Sequence, residues 1–342
     1  MPDNPLITRE MGDQTHACAP TSEKLEKFYD LVDDVETLDV RHAPSGWAPR
    51  FASDGDARNC PAESPPDPRL WHSHPIHDRA RRLHDLHASG CFVIPNPWDA
   101  GSARVLEQMG FAALATTSAG FAWSLGRRDN QVTLSEELEH LRAISSAVTV
   151  PVSADFEGGF ASSPEGVAAN VTAAAATGIA GLSIEDSTGD AAQPLYDFDL
   201  AVERIRAARA AIDASGSGIV LMARCETYLV GRPDLAHAVE RLNAFAAAGA
   251  DCLYAPGMRD LGQIRALVEA VAPKPVNVGV FTDFATVAEL RDIGVRRISV
   301  GGALARTAWT GFLDAAREIA EDGTFKAFGR AIPGVEINKR FA

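Results

Sequence analysis

Cysteine is scarce and scattered: the five, Cys18, Cys60, Cys91, Cys225 and Cys252, form no C-x-x-C pair. An odd, dispersed set fits free thiols in a reducing compartment and argues against a disulfide framework. Basic residues are outnumbered, 32 Lys and Arg against 46 Asp and Glu, for a formal charge of −14. The densest basic stretch is only Arg79-Ala80-Arg81-Arg82. Nucleic acid and anionic membranes need concentrated positive potential, so neither is an expected partner. No apolar run is long enough to cross a bilayer. The opening MPDNPLITRE carries acidic residues early and no apolar core segment, so it does not read as a secretory signal. The expectation is a soluble cytoplasmic protein. No G-x-G-x-x-G follows the first strand, which disfavours a dinucleotide-binding open sheet.

What is present is ordinary globular material: 46% apolar and 23% charged residues in 342, enough for one large domain. Residues 1–75 stand apart, rich in proline (Pro44, Pro49, Pro61, Pro65, Pro66, Pro68) and poor in apolar periodicity. Within them Leu25, Phe28, Leu31, Val32 and Val35 recur at helical spacing, predicting one helix near 22–38 in a mostly irregular extension. His72, His74, His77, His84 and His87 cluster nearby without a rigid frame, and we read no metal site there.

From about residue 76 to 325 short apolar runs alternate with Ala-rich helical stretches. Strands are expected at Cys91–Ile94, Ala112–Thr116, Val150–Ala154, Gly181–Ile184, Ile219–Ala223, Cys252–Tyr254, Pro275–Val278 and Arg297–Val300. Ser163-Pro164 and Thr282-Asp283 read as helix starts, and Gly110, Gly178, Gly249 and Gly294 as helix ends. The strands are continuous rather than alternating, as parallel strands covered on both faces should be. Eight βα units over about 250 residues predict an α/β fold, a (β/α)8 TIM barrel. Residues 326–342 form a C-terminal tail expected to pack on a partner subunit.

A barrel of this kind carries its site at the carboxyl ends of its strands. There the sequence sets Asp99, Asp129, Asp155, Glu157, Glu185, Asp186 and Glu226, clustered on the first five strands. Converging carboxylates repel unless a cation sits among them, and Mg2+ accepts a few carboxylates with retained water. Asp155, Glu157 and Glu185 are the candidate ligands, with Asp129 acting through water. Arg224, at the end of strand 5, has the planar fork that suits a carboxylate or phosphonate, or else a salt bridge to Glu226 or Glu185. Thr117, Ser118 and Ala119 offer backbone N–H groups to an anion. Gly301-Gly302 reads equally as a phosphate loop or as a close-packing device. Cys225 alternates away from the pocket into the core.

The run from about Leu83 to Phe328 resembles the isocitrate lyase/phosphoenolpyruvate mutase superfamily, in its phosphoenolpyruvate mutase-like branch. The matching text is Asn96-Pro97-Trp98-Asp99-Ala100-Gly101-Ser102, Gly126-Arg127-Arg128-Asp129, Asp155-Phe156-Glu157-Gly158-Gly159-Phe160, Ser183-Ile184-Glu185-Asp186, Ala223-Arg224-Cys225-Glu226 and Arg297-Ile298-Ser299-Val300-Gly301. The resemblance implies Mg2+, or Mn2+ in its place, on Asp155, Glu157 and Glu185. It implies a substrate carboxylate between Arg224 and the Thr117-Ser118-Ala119 backbone, and a metal-stabilised enolate. It also implies a homo-oligomer, dimer or tetramer, exchanging its last helix. The lyase members carry a Lys-Lys-Cys-Gly-His-type loop after the strand-4 Glu; here Asp186 to Tyr196 holds no Cys, Lys or His. Isocitrate and methylisocitrate cleavage are therefore not expected, and the proton donor is left open between Tyr196 and Glu226.

The expected function is a Mg-dependent lyase cleaving a C–C bond in a small 2-oxo or 2-hydroxy dicarboxylate. Its catalytic set is Arg224, Asp129 and Glu226, and Thr117, Ser118, Ala119 and Asn277 bind substrate. The alternatives are a P–C bond mutase, an oxaloacetate-type C–C hydrolase, or a catalytically inactive binding barrel.

Overall fold

The computed structural model describes residues 75–342. The helix expected at 22–38, His72, His74, Cys18 and Cys60 lie outside the described residues. Eight parallel strands run β1 Phe92–Ile94, β2 Leu114–Ala115, β3 Val152–Asp155, β4 Gly181–Glu185, β5 Val220–Arg224, β6 Cys252–Tyr254, β7 Val276–Gly279 and β8 Arg297–Ser299. Each pairs with its sequence neighbour except that β1 pairs with β8, so the sheet curls into a barrel. The remaining seam, between β1 and β2, is bridged by Ala115 N–H donating to Pro95 O at 3.0 Å. An open doubly wound sheet would reverse its strand order; this one does not.

The helices are α1 Pro75–Ala88, α2 Ala100–Gln108, α3 Ser118–Ser124, α4 Leu134–Ala147, α5 Pro164–Ala175, α6 Phe198–Ser215, α7 Leu235–Ala247, α8 Leu261–Ala270, α9 Val287–Asp292, α10 Ala303–Arg317 and α11 Gly334–Lys339. Local chemistry explains their ends. Ser163 caps α5 with Pro164 at its first position, and Gly110, Gly178, Gly249 and Gly294 all take the left-handed conformation after helices. The start of α9 differs from expectation. Its cap is Thr286, in a box with Glu289, and not Thr282-Asp283.

Outward residues of the strands, such as Leu182, Ile184, Leu221, Ala223 and Ile298, form the main core with the helices. Inside the barrel a smaller cluster, Ile94, Ala113, Ala115, Ala180 and Val220, closes around Leu83 of α1. A Cβ at Gly181 would meet Leu83 Cδ2 at 3.0 Å, so the glycine makes room for this plug. Helix α1, not foreseen as an element, thus seals the amino end, and Arg79 fastens it by donating to Ser145 O and Val148 O. His84 and His87 belong to this helix; His87 Nδ1 contacts Leu83 O at 2.7 Å, and burial pushes its imidazole down to about 3. It is a packed, neutral ring. The tail folds back on its own chain: Gln108 donates to Arg340 O, and Arg104 lies 5.7 Å from the Phe341 ring.

Candidate active site

The barrel's carboxyl end opens into a cavity of about 450 Å3 lined by Thr117, Ser118, Ala119, Asp129, Asp155 and Arg224, among others. Strand register brings the key groups together, since Asp155 pairs with Ser183 and Glu185 with Arg224. Alternation along each strand then aims Ser183 and Glu185, and Met222 and Arg224, at the axis.

Arg224 is the hub. Its Nη1 lies 2.7 Å from Asp155, its Nη2 3.0 Å from Glu185 and its Nε 2.8 Å from Glu226. Burial alone would loosen its proton, but Glu226, Glu185 and Asp155 outweigh burial and hold the guanidinium firmly charged. Asp155 is held from its other side, where Ser118 donates its amide at 3.1 Å and its hydroxyl at 3.0 Å to Oδ2. The Thr117-Ser118-Ala119 segment, expected as a turn, is the first turn of helix α3, with Thr117 as its cap. The Ser118 amide therefore meets the acid as a helix-terminal donor.

Glu157 sits at φ +46°, a left-handed backbone rare for a side chain of this size, in the turn after β3. Burial, then the charges of Asp155 and Asp129, push its carboxyl up to about 7. Burial likewise raises Glu185, against the opposing pull of Arg224. Asp129 lies exposed at the cavity mouth. Glu226 is buried, and its amide donates to Asp186 Oδ1 at 2.8 Å. Asp186 in turn is 2.7 Å from Arg241, both almost wholly buried, an ion pair that pins the loop after β4. Asn277 lies one layer lower, off the cavity lining, with Nδ2 on Ser299 Oγ at 3.0 Å. Cys225 is fully buried in the core, and burial pushes its thiol up to about 12, so it is inert.

The donor set fits a hard dication. Asp155, Glu185 and Glu226 share one guanidinium, and burial raises Glu157 and Glu185 toward their neutral forms, a cost that a bound cation would offset. All donors are oxygens. Among the described residues no three acidic, imidazole or thiol groups stand close enough to hold a metal unaided.

Glu137 was not foreseen. It is 2% exposed on α4, in the inward stripe with Leu141 and Ile144, and its Oε1 has no partner. Burial, then Asp155 and Glu157, push it up to about 8. The sequence signal was an acid in an apolar stripe, three residues after Leu134. Because its folded pKa lies above its unfolded one, the destabilisation is absent below pH 4.5, grows up to about pH 8 and then stays constant. In EDTA, Glu137→Gln should match wild-type stability at pH 4 and exceed it by about 3 kcal/mol at pH 7. Urea unfolding across that range measures it; a pH-independent gap would contradict the assignment.

A family model described as phosphoenolpyruvate phosphomutase matches residues 83–320, most of the chain. A crystal structure of a Burkholderia cenocepacia protein, described provisionally as a lyase/mutase, is 48% identical with a TM-score of 0.76, covering 78% of this chain and 97% of that one. The crystal structure of 2,3-dimethylmalate lyase, a member of the PEP mutase/isocitrate lyase superfamily, is 28% identical with a TM-score of 0.69, covering 78% and 94%. The 2-methylisocitrate lyase of Escherichia coli is 32% identical over 209 residues, 58% of this chain and 69% of that enzyme. The chain belongs to the phosphoenolpyruvate phosphomutase family, within the isocitrate lyase/phosphoenolpyruvate mutase superfamily.

Proposed function

We propose that this protein is a Mg2+-dependent lyase, with Mn2+ as a substitute metal, that cleaves a C–C bond in a small 2-oxo or 2-hydroxy dicarboxylate. The observation that carries the reading is the Arg224 guanidinium shared by Asp155, Glu185 and Glu226 at the strand ends, beside a cavity of about 450 Å3. Two of its named relatives, 2-methylisocitrate lyase and 2,3-dimethylmalate lyase, are lyases. Asp155, Glu157 and Glu185 would hold the metal, with Asp129 reaching it through water. When bound, Mg2+ supplies Lewis-acid stabilisation to charge developing on substrate oxygens.

The protein's own part is orientation. Drawing Asp155 and Glu185 toward a cation frees the Arg224 fork for a substrate carboxylate, while the Thr117, Ser118 and Ala119 segment offers amides to the same anion. Glu226 keeps its bond to Arg224 Nε and so would act as a positioning residue; the sequence left the proton donor open between it and Tyr196. Asn277 bears on substrate only through Ser299, which lines the cavity. The family's description as a phosphomutase keeps P–C bond chemistry as the second reading.

A screen of 2-oxo, 2-hydroxy and phosphono acids with Mg2+ and with EDTA decides between them. Metal-dependent release of pyruvate or another 2-oxo acid from oxaloacetate or a substituted malate supports the lyase. Turnover of phosphonopyruvate instead would replace it with the mutase, and oxalate plus acetate with a hydrolase. Inactivity throughout, with no Mg2+-dependent rise in Tm, would leave a binding barrel.

The partner we propose is a second copy of this chain. Helix α10 and the tail expose Trp309, Phe312, Phe325, Phe328, Ile332 and Val335, a run of large apolar side chains of the kind that a partner surface covers. Sedimentation as a monomer would refute this. No helix of the described residues is long and apolar enough to cross a membrane. We place the protein in the cytoplasm, in keeping with free Cys91, Cys225 and Cys252.

A further inference from the structure

Arg204, in the first half of α6, is 1% exposed, yet it makes no ion pair among the described residues. Its donors go to main-chain oxygens instead. Nη1 donates to Glu185 O at 3.1 Å, and Nη2 donates to Gly158 O and, at 3.0 Å, to Ala161 O. The guanidinium lies over the Tyr196 ring, 3.9 Å from its centre. Tyr196 is itself fixed: its carbonyl accepts from Arg241 Nη2 at 2.8 Å and its amide donates to Asp186 O at 2.9 Å. It stands off the cavity lining, so it braces the arginine from behind the site.

A fully buried arginine is normally paired with an acid, so its choice of carbonyls is informative. Glu185 O belongs to one candidate metal ligand, and Gly158 O lies one residue beyond another, Glu157. The two ligand backbones also meet directly, since Glu185 N–H donates to Glu157 O at 3.0 Å. One amide and one guanidinium therefore close a circuit from Glu157 to Glu185, on to Arg204 and back through Gly158. The circuit bears on a strained point. Glu157 is held at φ +46°, and a side chain stays in that region only where its surroundings over-determine it. Gly158 shows how close the fit is. A Cβ there would lie 3.3 Å from Arg204 Nη2, and its φ is not left-handed, so the missing side chain makes room for the arginine and not for a turn.

We infer that Arg204 is a positioning residue, which locks the turn after β3 to the end of β4 so that the Glu157 and Glu185 carboxylates are presented to a hard divalent cation at one fixed separation. This role rests on the metal reading proposed above. Mg2+ demands near-octahedral geometry, so ligand arms on loosened turns bind it less well although neither carboxylate is altered.

Mn2+ binding to the full chain, followed by electron paramagnetic resonance without substrate, tests it, because affinity is then read apart from turnover. Arg204→Met should raise the Mn2+ Kd by about 10- to 100-fold, the range for losing a group that orients a metal ligand. Arg204→Lys keeps the charge but reaches fewer of the three carbonyls, and it should recover part of that loss. Gly158→Ala leaves the arginine in place and presses chiefly on its Nη2. It should weaken binding several-fold, and it decides the matter should Arg204→Met fail to fold. Arg79→Met is the comparison, since Arg79 also spends its donors on carbonyls, those of Ser145 and Val148 at the amino end of the barrel. It should lower Tm yet leave the Mn2+ Kd within about twofold, as expected of a distant site. Wild-type affinity in both Arg204→Met and Gly158→Ala overturns the role, because the turns then hold without the arginine. So does a loss in Arg79→Met as large as in Arg204→Met, because any softening of the barrel would then have the same effect. A wild type that binds no Mn2+ removes the metal reading, and this role with it.

Discussion

Asp155→Asn is expected to lower Mg2+-dependent turnover by about 10^3-fold while the protein keeps its fold. The substitution is nearly isosteric, yet it removes one charge from the point where three demands meet. Asp155 accepts from Arg224 Nη1 and from both the amide and hydroxyl of Ser118, and it is the acid whose charge acts on Glu137, Glu157, Glu185 and Glu226. As a metal ligand it would be the one on the β3 end closest to Arg224. Its loss should therefore abolish the response to Mg2+ rather than merely raise the KM. Asp129→Asn, at the exposed mouth, should cost far less. Steady-state rates with Mg2+ and with EDTA, alongside circular dichroism, make the comparison. A variant within tenfold of wild type, still stimulated by Mg2+, would remove Asp155 from the metal site.

The barrel was legible because its signals are local and repeat. Continuous apolar runs, several of them ending in acids, with glycines after four of the helices, leave few other architectures. The site's acids were legible for the same reason, since a strand end is a position in sequence. What escaped depends on direction or on competing signals. Thr117-Ser118-Ala119-Gly120 has turn composition, but Thr117 accepts from Gly120 N–H and starts α3. Thr282-Asp283 and Thr286 are both plausible caps; only Thr286 has a Glu three residues on. Arg296-Arg297 looks like a surface pair, and only the pleat sends the second arginine into the barrel. For Arg224 two partners were weighed, Glu226 and Glu185. The fork takes both, and Asp155 as well, because Glu185 sits in register beside it and Asp155 one strand further.

That triple pairing leads to a test in which stability rather than rate is read. Arg224→Met removes the only cation that Asp155, Glu185 and Glu226 contact among the described residues, and it leaves three partly or wholly buried carboxylates facing one another. Breaking a buried pair from one side generally costs about 3–5 kcal/mol, and here the penalty falls on three partners. In EDTA at pH 8 the variant should thus lose about that much in urea unfolding. Glu185 and Glu226, already raised by burial, can escape by taking up protons, so their folded pKa values rise further above the unfolded ones. A raised carboxyl destabilises only above its unfolded pKa; the deficit should therefore shrink as pH falls from 8 toward 4.5. Mg2+ offers another escape, binding the folded acids and not the unfolded chain. It should restore more stability to the variant than it adds to wild type, while turnover stays low because the substrate carboxylate has lost its fork. A deficit that ignores both pH and Mg2+ would mean that the three acids share only an arginine and never a metal ion.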